Sequence, residues 1–319
     1  MYYPYFRGKQ FELIALRESS ELIAESKFVP IIEPVRASLG GLQKALDSLT
    51  EAGAQAVVIV NPQYGDYCES GKPIEQLLQE CYGHNDAIRA GVLLTPQMDV
   101  NTVLDLTQTF DAYGTTLIHA GFTDSRFLSE HLVGDTSRFR NVFLADQASH
   151  LYRKHFQGKP RILVRDGFIQ RKNADYPSVE SFSDLHITFQ EQGMDGYGDF
   201  LTVGENYSDR GGPAYAVAIH LTFIDPDQDD AMFVYHFKSD TNDTPLDAGS
   251  KFLEALKKLI ALVDSGNSKL DDTSALREFQ ELYDRKHFPG LGYVKKLSIR
   301  HHLETLANYQ LTHSRNSND

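Results

Sequence analysis

One after another, the short β-branched apolar runs of this chain end in, or carry, a residue able to do chemistry. Glu33 lies in the run Phe28 to Val35, Asn61 ends Ala56 to Asn61, Thr95 ends Gly91 to Thr95, and His119 ends Thr115 to His119. Asp146 closes Asn141 to Asp146, Arg165 and Asp166 close Arg161 to Asp166, and Glu205 follows Phe200 to Val203. Carboxylates, imidazoles and a guanidinium converging on one face are the materials of acid–base or metal-assisted hydrolysis.

Glu33 stands between apolar residues and Pro34, so its carboxylate is neither casual surface nor at ease in a core. It is the first candidate for a catalytic group, the other reading being an ion pair with Arg36 or Arg165. Asp146 and His119 complete the expected catalytic set. Asp146 can equally cap the following helix, and His119 can equally be a satisfied core histidine. Arg165 is suited to holding a phosphate or carboxylate bidentately, or to pairing with Asp166. Asn61 and Glu205 join Arg165 as candidate substrate-binding residues. The polar loop Gly204 to Pro213 reads either as an anion nest around Gly211 and Gly212 or as a plain connector. His220 and His236 sit in adjacent predicted strands; with an even offset they share a face and, with Asp240 or Glu33, are candidate ligands for a divalent metal. No His-x-His or His-Glu-x-x-His spacing supports that metal.

These residues need strands to position them, and the rhythm of the chain supplies strands alternating with helices. Between the apolar runs, Leu42 to Glu51, Ile74 to Cys81, Val100 to Phe110, Arg126 to Leu132 and Ala148 to Phe156 carry apolar residues at helical spacing. The runs are continuous rather than alternating, as for parallel strands covered on both faces. Phe11 to Ala24 reads as an amphipathic helix capping one end of the sheet. After Val203 the rhythm breaks: Ala216 to Phe223 and Met232 to Phe237 are expected to form an antiparallel hairpin through the acidic turn Asp225 to Asp230. Helical patterns resume over Asp247 to Val263, Ala275 to Arg285 and Lys295 to Tyr309. No Gly-x-Gly-x-x-Gly or Walker sequence favours an open nucleotide-binding sheet. The expected fold is therefore an α/β, TIM-like (β/α)8 barrel over 1–265 with an irregular last quarter, and a C-terminal helical appendage over 266–319 packed on it.

The opening Tyr3-Pro4-Tyr5-Phe6-Arg7-Gly8-Lys9-Gln10-Phe11-Glu12-Leu13-Ile14-Ala15-Leu16, followed by Pro30-Ile31-Ile32-Glu33-Pro34, resembles the phage beta-protein family of bacterial and phage proteins. The resemblance covers roughly the first third of the chain most strongly. It implies a barrel-like scaffold associated with mobile elements or phage defence, beside a partner encoded by a neighbouring gene. It implies no reaction, and it adds Lys9 to the candidate binding residues through its place in the motif.

Composition bounds the partners. Lys+Arg 31 against Asp+Glu 44 leaves a net charge of −13, which argues against indiscriminate coating of nucleic acid. The charge is uneven. His150 to Lys172 holds seven Lys/Arg against one Asp, Arg285 to His302 five with no acid, and Asp225 to Asp247 seven Asp against one Lys. The basic segments, interleaved with Tyr152, Phe156, Phe288 and Tyr293, can track a phosphate backbone locally, or meet the acidic turn within the molecule or in a homo-oligomer. The two cysteines, Cys68 and Cys81, form no disulfide framework, and no membrane-spanning run occurs, so the expectation is a cytoplasmic protein. The functional expectation is a hydrolase directed at phosphodiesters or nucleotides in a phage-defence or mobile-element module; the alternative is a non-catalytic barrel that binds a partner protein or phage component.

Overall fold

The computed structural model describes residues 1–83, 85–132, 139–209, 212 and 214–316, the last three of these by backbone alone. Their contacts group into two compact units, Met1–Asp166 with Thr188–Phe200, and Gly167–Ile187 with Leu201–Asp319.

The first unit is a TIM-like barrel. Eight parallel strands follow one another around it: β1 (Tyr5–Phe6), β2 (Ile31–Ile32), β3 (Ala56–Ile59), β4 (Ile88–Leu94), β5 (Thr116–His119), β6 (Arg140–Leu144), β7 (Arg161–Val164) and β9 (Gly196–Gly198). The ring is joined where Tyr2 bridges Tyr197, with Tyr3 N donating to Tyr197 O at 2.7 Å and Tyr5 N to Asp199 O at 2.9 Å. Alternate residues from around the ring meet in one buried cluster: Tyr5, Ile31, Val57, Ile59, Leu93, Ile118, Val142, Leu144, Ile162, Val164 and Phe200. That period of two identifies the barrel interior. A side chain at Gly91 would stand 2.9 Å from Val57 Cγ1 and 3.1 Å from Ile118 Cδ1, so glycine there makes room for the interior layer.

The crossovers are α1 (Gln10–Glu18) and α2 (Ser20–Glu25), α3 (Gly40–Glu51), α4 (Lys72–Tyr82), α5 (Val100–Thr109), α6 (Ser125–His131) and α7 (His150–Lys154), and a short α8 (Leu185–Thr188) precedes β9 in the chain. The helix expected over Phe11 to Ala24 breaks at Ser19 into α1 and α2. It caps nothing: lying between β1 and β2 in the chain and packing against α3, it is the first crossover of the barrel. Local caps start later helices where the sequence provides them, Asp99 accepting from Thr102 N at 3.0 Å and Ser149 from Tyr152 N at 3.2 Å.

The second unit contains a three-stranded antiparallel sheet, order β10 (Ala218–Asp225), β11 (Ala231–Lys238), β8 (Val179–Ser183). The expected hairpin forms, and its turn is closed by Asp225 accepting from Asp227 N at 3.1 Å, with Asp229 and Asp230 both at positive φ. Val217, Ile219, Leu221 and Phe237 pack with Phe252, Leu256 and Leu259 of α9 (Ala248–Asp264), Leu276 and Phe279 of α10 (Ser274–Asp284), and Val294 and Leu297 of α11 (Leu291–Asn316). A division at residue 265 thus cuts through a core: the hairpin and α9 share their apolar cluster with α10 and α11. Two strand expectations also shift. β1 precedes the first run read as a strand, and the eighth barrel strand is Gly196–Gly198, with Phe200 to Val203 just beyond it. No helix among the described residues is long and apolar enough to cross a membrane.

Candidate functional site

Glu33 lies directly after β2 and is fully buried. Parallel pairing of Tyr5 with Ile31 and Phe6 with Ile32 carries Arg7 to the neighbouring position on β1, and its Nη1 forms an ion pair with Glu33 Oε2. Tyr5 OH donates to the same oxygen at 2.8 Å, and Gln63 N donates to Oε1 at 2.8 Å. The guanidinium lies 4.9 Å from the ring centres of Tyr5 and Tyr64 and 5.4 Å from that of Phe200. Burial alone would lower the Arg7 pKa; the Tyr5 hydroxyl and Glu33 carboxylate reverse this and raise it. The expected partners Arg36 and Arg165 are not the ones used. A guanidinium, a phenol and a backbone N–H fix this carboxylate in place, and both of its oxygens already accept charge-assisted or strong bonds.

None of the other strand-end candidates hydrogen-bonds to the Glu33 carboxylate among the described residues. Asn61 acts as an extra rung of the sheet: its Nδ2 donates to Leu93 O at 2.9 Å and its Oδ1 accepts from Leu93 N at 2.8 Å. Asp146 is exposed in the turn after β6 and has no hydrogen-bond or ion-pair partner among the described residues. It does not cap α7, because Ser149 does. Arg165 Nη2 donates to Gln192 Oε1 at 3.2 Å rather than presenting an empty fork. Lys9 is the residue before α1, its carbonyl accepting from Leu13 N at 2.9 Å. Thr95 is half-buried beyond β4.

His119 departs furthest from the catalytic expectation. Ile118 and Ala120 point into the barrel, so His119 between them points outward into the helical layer. There it is fully buried, stacked 4.6 Å from Phe143 and tilted against Phe156 at 4.5 Å. Nδ1 meets Tyr152 OH at 2.7 Å and Nε2 meets Asn141 Oδ1 at 3.2 Å. The Asn141 oxygen can only accept, which assigns the proton to Nε2 and leaves Nδ1 to accept from Tyr152. Burial pushes the His119 pKa down to about 3, the Asn141 bond opposing it only in part. It is a neutral core histidine whose two nitrogens are both used. Phe156 is likewise fully buried, which removes its ring from the basic surface stripe read between His150 and Lys172.

Glu205, His220 and His236 belong to the second unit. Glu205 is half-buried in the loop after β9; of the glycine loop that follows, 210, 211 and 213 lie outside the described residues, so the anion nest around Gly211 does too. His220 and His236 face one another directly across the hairpin. Their Nδ1 atoms are 2.6 Å apart, and His236 Nε2 meets Glu180 Oε1 at 3.0 Å. Arg171 Nη1 reaches that same oxygen at 2.5 Å. Glu180, rather than Asp240 or Glu33, is therefore the acid of the pair. It sits on β8, opposite Val234 of β11.

This group is a chain, not a cage. A metal bound by two imidazoles at about 2.1 Å holds their nitrogens roughly 3.3 Å apart, whereas the two Nδ1 atoms are at hydrogen-bonding distance, 2.6 Å. Glu180 approaches the opposite nitrogen of His236, so the three donors do not converge on a point. Among the described residues no group of three or more His, Cys, Asp or Glu is placed to hold a metal ion. Burial lowers the pKa of both imidazoles; His236 and Lys295 push His220 further down, and Glu180 partly offsets the effect on His236, while Arg171 and Lys238 add to it. The acidic turn has its own partner: Lys269 Nζ meets Asp225 Oδ1 at 2.5 Å and Asp227 Oδ2 at 3.0 Å.

Arg7, Tyr5, Glu180 and Arg171 were not singled out from sequence as site residues. Arg7 carries a signal in hindsight of the pairing alone, being the residue directly after β1. Compared with known proteins, the chain matches no family model, and no curated protein matches its sequence.

Proposed function

We propose that the barrel unit is a recognition module, holding a partner protein or phage component, rather than a hydrolase working at Glu33. The carrying observation is that Glu33 is fully buried and accepts from Arg7, Tyr5 and Gln63 N. Three of its roughly four acceptor positions are committed, and its charge is already balanced by the Arg7 guanidinium, which leaves it poorly placed to activate a water. The phage-defence or mobile-element setting, and a partner encoded by a neighbouring gene, rest on the resemblance of residues 3–16 and 30–34 to the phage beta-protein family.

The partner surface supported best lies on α6 and α7. Phe127 is 42% and Leu151 67% exposed. The two helices are tied together by Ser125 Oγ and His155 Nδ1 at 2.8 Å. Arg153 and Lys154 follow Leu151 on α7, so the surface suits an apolar anchor accompanied by acidic groups. Co-expression with the product of the adjoining reading frame, followed by size-exclusion chromatography, tests this. Co-elution should survive Glu33→Gln and be lost in Phe127→Asp, Leu151→Asp. Loss of biological activity in a folded Glu33→Gln protein would return chemistry to the mouth. The hydrolase reading retains one specific observation in its favour, the imidazole chain of the second unit.

A further inference from the structure

The four groups Arg171, Glu180, His236 and His220 form a directed chain. Arg171 and His236 both donate to Glu180 Oε1. With its Nε2 proton committed to that carboxylate, neutral His236 has only a lone pair at Nδ1, so His220 must donate its Nδ1 proton across the 2.6 Å contact. His220 is thereby left with an unprotonated Nε2. That nitrogen has no hydrogen-bond partner among the described residues, and His220 retains partial exposure. From Arg171 to His220 each donor meets an acceptor, and the chain ends at His220 Nε2.

The ring is held in place by its aromatic neighbours. Phe168 and Tyr176 pack edge-on to His220 with ring centres 4.9 and 4.7 Å away, and Tyr176 also stacks on His236 at 4.5 Å. Tyr176 is fixed in turn by Arg171 N, which donates to its hydroxyl at 3.1 Å, and by Lys238 Nζ, which donates to its carbonyl. The charges acting on the two imidazoles are Arg171, Lys238 and Lys295 against the single carboxylate Glu180. Burial is the main reason the charged form of both rings is disfavoured, and these cations add to it while favouring an anion beside the rings. Lys238 is engaged with the carbonyls of Ala174 and Tyr176, whereas Lys295 is exposed on α11 with no hydrogen bond among the described residues.

We propose that His220, backed by His236 and Glu180, is the general base of a phosphoryl-transfer site in the second unit that takes a phosphodiester, with Lys295 contacting a phosphoryl oxygen. A water O–H gives its proton to His220 Nε2 as its oxygen forms the new bond to phosphorus. The Nδ1 proton of His220 moves to His236 Nδ1, making an imidazolium whose Nε2–H stays on Glu180. The bond from phosphorus to the leaving oxygen breaks, and a proton returns along the chain to that oxygen. Water and a phosphodiester give a phosphomonoester and an alcohol, with no other reactant. His236 and Glu180 are positioning residues, while His220 and Lys295 touch the substrate.

The test uses the full chain with bis(4-nitrophenyl) phosphate as the anionic probe and 4-nitrophenyl acetate as the neutral one, followed from pH 5 to 9. His220→Asn should reduce release of nitrophenolate from the diester roughly 10²-fold to 10⁴-fold without moving the thermal midpoint. His236→Asn should shift the acid limb of the pH profile, which a merely structural role would leave in place. Lys295→Ala, at an exposed position, should raise KM for the diester and not for the acetate. Diester hydrolysis that is absent in the wild type, or equal in His220→Asn, overturns the proposal. Cleavage of the acetate alone, dependent on His220, overturns the phosphodiester assignment while keeping the base. Neither result bears on partner capture by the barrel, so the two readings fail separately.

Discussion

His119 should make the barrel acid-labile in a way that one substitution removes. An imidazole whose pKa falls from 6.5 to about 3 on folding contributes stability above its unfolded value and loses it as the pH drops toward the folded one. At pH 5 the unfolded ring is almost fully protonated and the folded ring is not, which costs about 2 kcal/mol relative to pH 7. By pH 3 the loss reaches about 4 kcal/mol. His119→Phe keeps an aromatic ring between Phe143 and Phe156 but strands Tyr152 OH and Asn141, for a cost of about 1–3 kcal/mol at pH 7. Urea unfolding followed by circular dichroism at pH 7 and pH 5 should therefore show the variant weaker at neutral pH yet losing about 2 kcal/mol less than the wild type on acidification. Other buried imidazoles, such as His301 with its pKa pushed down to about 4 by burial, cancel in the comparison. An equal acid loss in both proteins would refute the reasoning.

Glu33→Gln should leave the Arg7 guanidinium buried without its counter-charge and cost about 3–5 kcal/mol, read by denaturant unfolding, while diester hydrolysis per folded molecule stays unchanged. Gly65 stands at φ +78°, where an added Cβ would lie 2.1 Å from Val35 O. Gly65→Ala should therefore lose more than the roughly 1–2 kcal/mol of left-handed strain alone, because the carbonyl after β2 must also move; a urea midpoint close to wild type would contradict this.

The barrel was legible because parallel strands buried on both faces leave a plain mark, as in Ala56 to Ile59 and Thr116 to His119. β1 was not, since two aromatic residues beside a proline carry no period, and its existence depends on pairing with β2. Glu33 could be recognised as a constrained carboxylate from its neighbours. Its partner Arg7 could not, because only the register of Phe6 against Ile32 brings the two together. His119 shows the limit most clearly: in a continuous apolar run no alternation tells which residues face the barrel axis and which the helices. The His220 and His236 pair was visible once the hairpin was, whereas Glu180 required knowing that β8 joins the free edge of β11 from far away in the sequence. The nitrogens by which Glu180 and His220 approach His236 decide between a metal cage and a proton chain, and residue spacing does not contain that information.

The imidazole chain can be read directly by ¹⁵N NMR of the ring nitrogens of His220 and His236 between pH 5 and 8. The account predicts an unprotonated Nε2 on His220, a protonated Nε2 on His236, a single proton between the two Nδ1 atoms, and both rings titrating below the ordinary imidazole value. Two rings titrating independently near pH 6.5, or a protonated Nε2 on His220 at pH 7, would contradict it.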